Sequence, residues 1–129
     1  MDYSQFTLDD RVWLASIITD PCELAILALD SNTKVRIAVA KNPKKNFQTE
    51  LLLSYDRDAR VRLALTCSTH NSYLLSTHAG DSNWIVRLAV AINVYTSIAA
   101  IKYMTLYDKN ALVRLVAKAV LKARPADAA

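Results

Sequence analysis

A seven-residue motif returns at a near-constant interval, and that interval limits the possible folds more than any other property of the chain. The copies are Asp30-Ser31-Asn32-Thr33-Lys34-Val35-Arg36, Asp56-Arg57-Asp58-Ala59-Arg60-Val61-Arg62, Asp81-Ser82-Asn83-Trp84-Ile85-Val86-Arg87 and Asp108-Lys109-Asn110-Ala111-Leu112-Val113-Arg114. Their Val-Arg pairs are 26, 25 and 27 residues apart. A fixed period of this length is the mark of a stacked repeat, in which each unit buries its apolar side only against its neighbours.

Helix physics assigns a task to each motif position. Asn32, Asp58, Asn83 and Asn110 stand where an N-cap belongs, accepting from backbone N–H groups that the first turn leaves unpaired. Each Arg follows four residues later, and helical side chains lean towards the N-terminus. Arg36, Arg62, Arg87 and Arg114 therefore point back at Asp30, Asp56, Asp81 and Asp108, six residues earlier. If units stack, each Asp also comes within reach of a neighbouring unit's Arg. The eight residues are expected to form a structural ladder of charge-assisted hydrogen bonds, not a catalytic array, because they recur with the architecture.

The remaining signals agree with short paired helices. Hydrophobic residues make up 53% of the chain, with one Gly and three Pro, and nothing reads as a strand closed by a hairpin turn. First helices are expected to end at Asn42, Ser68 and Asn93, and second helices to occupy approximately Cys22–Leu29, Phe47–Tyr55, Ser72–Ala79 and Thr96–Tyr107. The last first-helix has no such break, so it should run from Ala111 to Ala123, with 124–129 a frayed tail. If Val12 takes the place of Val35, then Trp13 stands where the Arg belongs and Thr7 where the Asp belongs. The first unit would then lack a rung. The expectation is one all-α domain over 1–129, with units near 8–29, 30–55, 56–80, 81–107 and 108–123.

Val35-Arg36-Ile37-Ala38-Val39-Ala40-Lys41-Asn42-Pro43, followed by Leu51-Leu52 and the Asp56 motif, resembles the leucine-rich repeat variant family. Its Asp…Val-Arg element is also similar to that of HEAT repeats, whose units are longer. The resemblance spans about residues 8 to 123 and is densest from 30 to 67; Thr69 and Val94 stand where the variant repeat has Pro. It implies a short right-handed α-solenoid of about five two-helix repeats with no sheet. One member of that family carries an iron–sulfur cluster on grouped cysteines. Here there are only Cys22 and Cys67, so that activity is not carried over and no cofactor is expected.

Chemistry-bearing motifs are sparse. A single Gly excludes a Gly-rich phosphate loop, and no Gly-x-Ser-x-Gly or His-Glu-x-x-His occurs. Cys67, His70, His78 and Asp81 are the only gathering of potential metal ligands, and their spacing matches zinc sites poorly. Paired carboxylates at Asp9-Asp10 and Asp56/Asp58 are accounted for by capping. The expectation is a non-catalytic scaffold that binds another protein. The apolar, charge-free run Leu88 to Ile101 is too short for a bilayer, and the N-terminus has no apolar signal core, so a soluble, cytoplasmic chain with no membrane partner is expected.

Charge offers an alternative. Residues 1–30 hold six acids and one Arg, a net of −5, whereas 31–129 hold fifteen basic and six acidic residues, a net of +9. A basic body suits nucleic acid, with Lys41, Lys44, Lys45, Arg57 and Arg60 as candidate phosphate contacts, or is a solvated surface. Opposed ends also permit head-to-tail self-association, and a homodimer covering an open end is compatible with so short a stack. For the protein partner, the candidate surface is Trp84, Ile85, Lys34 and Arg60. Trp84-Ile85 fills the two variable motif sites that elsewhere hold small or charged residues; it is either an interaction hot spot or packing over a neighbouring loop. Tyr73, Tyr95, Tyr103 and Tyr107 are read first as core with a hydrogen-bonded rim, with a binding stripe as the alternative, and neighbouring tyrosines are counted with the candidate surface.

Overall fold

Short helices in water are stable only when packed, and this chain builds its helices by capping each one and stacking it on a neighbour. The computed structural model describes residues 1–124; the predicted frayed tail, beyond Arg124, lies outside the described residues. Among the described residues there are nine helices packed in sequential pairs and no strand. The chain divides into two compact units, Met1–Ser68 and a second that begins at Thr69.

The first unit contains α1 (Leu8–Ile17), α2 (Pro21–Leu27), α3 (Thr33–Lys41), α4 (Phe47–Ser54) and α5 (Ala59–Ser68). Helices α1, α3 and α5 stack in succession, with α2 and α4 lying against them. Ala15, Leu24, Val35, Val39, Leu53, Val61 and Leu65 fill the interior. Tyr3 folds in beside them, and its hydroxyl donates to Glu23 Oε2 at 2.6 Å. Desolvation, reinforced by the Glu23 hydrogen bond and charge, pushes that phenol up to about 12.

The second unit contains α6 (Ser72–His78), α7 (Trp84–Ile92), α8 (Ile98–Tyr107) and α9 (Ala111–Ala123). Here α7 stacks on α9, α8 packs along α9, and α6 lies against α7. Leu75, Val90, Ile101, Met104, Val113 and Ala117 form the core. The unbroken α9 covers the residues expected for it. The predicted breaks at Asn42, Ser68 and Asn93 fall at the ends of α3, α5 and α7.

All four predicted cap residues cap: Asn32, Asp58, Asn83 and Asn110 accept from the backbone N–H two residues on. The Arg ladder has a more specific form than an Arg aimed at its own Asp. Arg36 Nη1 donates to the backbone carbonyl of Asp30, whereas its Nε reaches the carboxylate of Asp56, in the next repeat, at 2.8 Å. Arg87 does the same with the Asp81 carbonyl and the Asp108 carboxylate, at 2.8 and 2.9 Å. Arg62 and Arg114 likewise donate to the Asp56 and Asp108 carbonyls. Each Asp turns its other oxygen inward to the N–H of the capping residue, as Asp30 does for Asn32 and Asp81 for Asn83.

The first repeat has a rung after all, and the expectation that it lacks one is corrected. Thr7 is the N-cap of α1, so the residue four later is Arg11. Its Nε donates to Asp30 Oδ2 at 2.9 Å and its Nη1 to the Phe6 carbonyl. Aligning Val12 with Val35 slips the register by two residues. The Val place of this repeat is held by Asp10, which is exposed, so no burial there demands an apolar residue.

A second set of links joins the C-terminal ends of the first helices. Asn42 Nδ2 donates to the carbonyls of Ala15 and Ile18, at 3.0 and 2.8 Å. Ser68 Oγ donates to the Ala40 carbonyl, and Asn93 Nδ2 to that of Thr69. Arg124, assigned by the sequence to the frayed tail, donates to the carbonyls of Asn93 and Thr96. The polar residues that break the helices therefore also tie each break to the repeat before it.

Two outcomes follow. The Arg87–Asp108 pair has side chains only 5% and 2% exposed, against 18% and 11% for Arg11–Asp30. Arg87→Ala, which strands a buried carboxylate, should lower denaturant stability by about 3–5 kcal/mol. Arg11→Ala should cost about 1 kcal/mol; equal losses would contradict a burial-graded ladder. Because Tyr3 ionises at about 12 against an ordinary 10, its contribution is whole below pH 10 and disappears as pH climbs to 12. Ultraviolet titration should show one late-ionising phenol, absent in Tyr3→Phe.

Candidate binding face

Counting from the N-cap of each first helix, the second, fifth and ninth residues fall on one side, at the i, i+3, i+7 spacing of a helical stripe. They are Asp9, Val12 and Ser16 on α1, then Lys34, Ile37 and Lys41 on α3, then Arg60, Leu63 and Cys67 on α5. In the second unit they are Ile85, Leu88 and Ile92 on α7, then Leu112, Leu115 and Ala119 on α9. The second and ninth positions are exposed throughout, and the fifth is half-buried in every helix but α9. Between α1 and α3 this leaves a shallow groove of about 240 Å³, floored by Val12 and Ile37 and edged by Lys34 and Lys41. One set of positions thus carries acid on α1, bases on α3 and α5, and apolar side chains on α7 and α9.

The cationic candidates of the first unit are not equivalent. Lys34, Lys41 and Lys44 are open to solvent. Lys45 is turned inward: its side chain is 3% exposed, its ammonium donates to the Asn42 carbonyl at 3.0 Å, and Glu50 lies 3.9 Å away. Desolvation pulls its pKa down and Glu50 opposes that shift. Lys45 is thus a loop clasp, and its assignment as a phosphate contact is corrected. Arg60 is exposed, but its fork closes on its own cap: Nε to Asp58 Oδ1 at 3.1 Å and Nη2 to Oδ2 at 2.8 Å. Those hydrogen bonds, with the Arg60 backbone N–H, hold the Asp58 carboxyl well below the usual carboxylate range. Beside Lys41, the Cys67 thiol is pushed up by burial, which the lysine only partly offsets.

In the second unit the stripe is apolar and unusually open. Ile85, Ile92, Leu112 and Leu115 are 43%, 57%, 46% and 64% exposed, and Trp84, the first residue of α7, is 40% exposed. Sequence reasoning selects Trp84 and Ile85 but misses Ile92, Leu112 and Leu115. The signal for them was present: once the caps define the register, all three occupy the same stripe as Ile85. The reading of the tyrosines as core is corrected. Tyr73, Tyr95, Tyr103 and Tyr107 are exposed, not core. Met104 and Ile101 supply the inner side of α8, which leaves Tyr103 and Tyr107 as a tilted pair, ring centres 5.0 Å apart, on its outer side. Tyr95 stacks on His70 at 4.3 Å.

The remaining chemistry-bearing residues have local roles. His78 is buried with Nδ1 against the Leu74 carbonyl at 3.0 Å. Both cysteines are free. Among the described residues, no group of three or more His, Cys, Asp and Glu gathers as metal ligands, and no helix is long and apolar enough to cross a membrane. No family model matches the chain, and neither a curated protein nor a solved structure matches it significantly.

Proposed function

We propose that the chain is a non-catalytic protein-binding scaffold: a short right-handed α-solenoid of about five two-helix repeats, similar to leucine-rich repeat variant units. The observation that carries this reading is the apolar stripe of the second unit, with Trp84, Ile85 and Ile92 on α7 beside Leu112 and Leu115 on α9. Large apolar side chains left in water on a packed helix pair are the composition of an interface centre. The helices that hold them are fixed by their caps and by the Arg87–Asp108 pair, so the surface is presented without an ordering cost at binding.

A second reading, nucleic acid on the first unit, rests on Lys34, Lys41 and Lys44, which are open on or just beyond α3. It is weakened by the withdrawal of Lys45 and by the Arg60–Asp58 fork, which leaves fewer free charges to neutralise phosphates.

Affinity capture from native extract, with and without nuclease, separates the two. A discrete protein should survive nuclease treatment. Trp84→Ala should weaken its binding by a hot-spot-sized ~2 kcal/mol, on the order of thirtyfold, and Ile92→Lys should weaken it too. Capture that collapses on nuclease treatment and falls steeply with salt would replace the protein reading with the nucleic-acid one.

A further inference from the structure

The outward sides of α1 and α9 each depart from the repeat in a way that the stripe does not explain, and the two departures are chemically complementary. Side chains that reach forward to the next repeat leave from the fourth residue after the cap, as Arg36 does towards Asp56. The eighth residue continues that flank and is small and buried where another first helix stacks on it, as Ala15 and Ala40 are in the first unit and Ala91 in the second. On α9 the forward flank is Arg114, Lys118 and, one turn on, Lys122, with Lys118 and Lys122 exposed. Arg114 is set up as a rung. Its Nη1 donates to the Asp108 carbonyl, the anchor equivalent to those that direct Nε of Arg36 and Arg87 onto a carboxylate at 2.8 and 2.9 Å. Among the described residues no carboxylate meets Arg114.

The flank that reaches backward is marked by the tenth residue after the cap, as Asn42 shows by donating to Ala15 and Ile18. The sixth and third residues continue it. On α3, α5 and α9, each of which stacks on the first helix before it, they are Ala38, Ala64 and Val116, and the buried Val35, Val61 and Val113. On α1 they are Trp13, 61% exposed, and Asp10, with Asp9 adjacent and Ile17 at the tenth position. Neither Asp9 nor Asp10 has an ion-pair partner among the described residues.

We infer that the acidic, tryptophan-bearing flank of α1 in one copy docks on the basic flank of α9 in a second copy. Asp9 and Asp10 supply the carboxylate that Arg114 lacks, and Trp13 offers its ring face to the Lys118 ammonium. Different flanks meet, so the contact is heterologous and every copy keeps one free flank of each kind. A single helix face on each side is a small interface, and its affinity is accordingly weak and salt-dependent.

The test uses purified, nuclease-treated protein in sedimentation velocity from about 10 μM to about 1 mM at low salt, a range suited to weak interfaces. Wild type should gain mass with concentration and lose it at about 0.5 M salt. Arg114→Ala with Lys118→Ala should weaken association about tenfold or more, and so should Trp13→Ala with Asp10→Asn. Lys118→Glu with Lys122→Glu touches no hydrogen bond described above and serves as a second α9 variant should the first unfold. Decisively, an equimolar mixture of the α1 and α9 variants should form dimers and nothing larger, since only one intact pair of flanks remains. A monomeric wild type at the highest concentration, variants that associate unchanged, or a mixture that stays monomeric would each overturn the inference. None of these outcomes bears on capture through Trp84, which lies on the stripe.

Discussion

In each of the two units one guanidinium does two things. Nη1 of Arg36 and of Arg87 closes the turn in front of its own helix by donating to the Asp carbonyl, and Nε binds the Asp carboxylate of the repeat that follows. The Asp is shared in turn: Oδ2 accepts from the Arg Nε, and Oδ1 accepts from the N–H of the capping residue and, at longer range, from the Arg Nη2. A turn, a helix start and the position of the next repeat are thus fixed by a single pair. Such a pair is a weak source of net stability, because desolvating both ions consumes most of the Coulomb gain. What it supplies is register: with an Arg and an Asp at fixed places, a slipped stack leaves buried charges unmatched. Among the described residues no buried side-chain nitrogen or oxygen lacks a hydrogen bond, which is the condition under which a half-buried ionic network is tolerable.

With register held by the ladder and by the Asn42, Ser68 and Asn93 links, the outward stripe is free of structural duty. Its residues change kind from repeat to repeat while the inward Val and the rung Arg do not. Lys34 becomes Arg60, then Ile85, then Leu112, whereas Val35, Val61, Val86 and Val113 are each fully buried. A repeat that separates its framework positions from its variable ones can carry a different surface on each unit at little energetic cost.

Most of the framework was legible in the sequence because it is periodic. The caps, the breaks at Asn42, Ser68 and Asn93 and the extent of α9 come directly from the motif and helix rules. Three things were not legible, each for a physical reason. Arg11 was hidden because the buried Val that marks the register is replaced by exposed Asp10. The division of labour between each Asp carbonyl and carboxylate depends on three-dimensional stacking, which sequence spacing alone leaves degenerate. The tyrosines were read first as core because helical spacing places residues on one side without saying which side is inward; on α8 the smaller Ile101 and Met104 take the interior.

The candidate surface was harder than the framework for a related reason. Trp84 was conspicuous because it broke the pattern, but Leu112 and Leu115 looked like ordinary repeat residues. Their significance lies in exposure, and exposure depends on what stacks outside them. Among the described residues no helix lies on the forward side of α9. There, Leu115 is open, whereas its equivalents Ile37, Leu63 and Leu88 are half-buried, and Lys118 stands where Ala40, Thr66 and Ala91 are enclosed. Lysine at that place keeps a neighbouring first helix from approaching as closely as the stacked ones do, yet together with Arg114 it attracts a carboxylate. The forward side of α9 is therefore charged where α1, α3 and α7 present small buried residues, and Trp13 of α1 is likewise exposed.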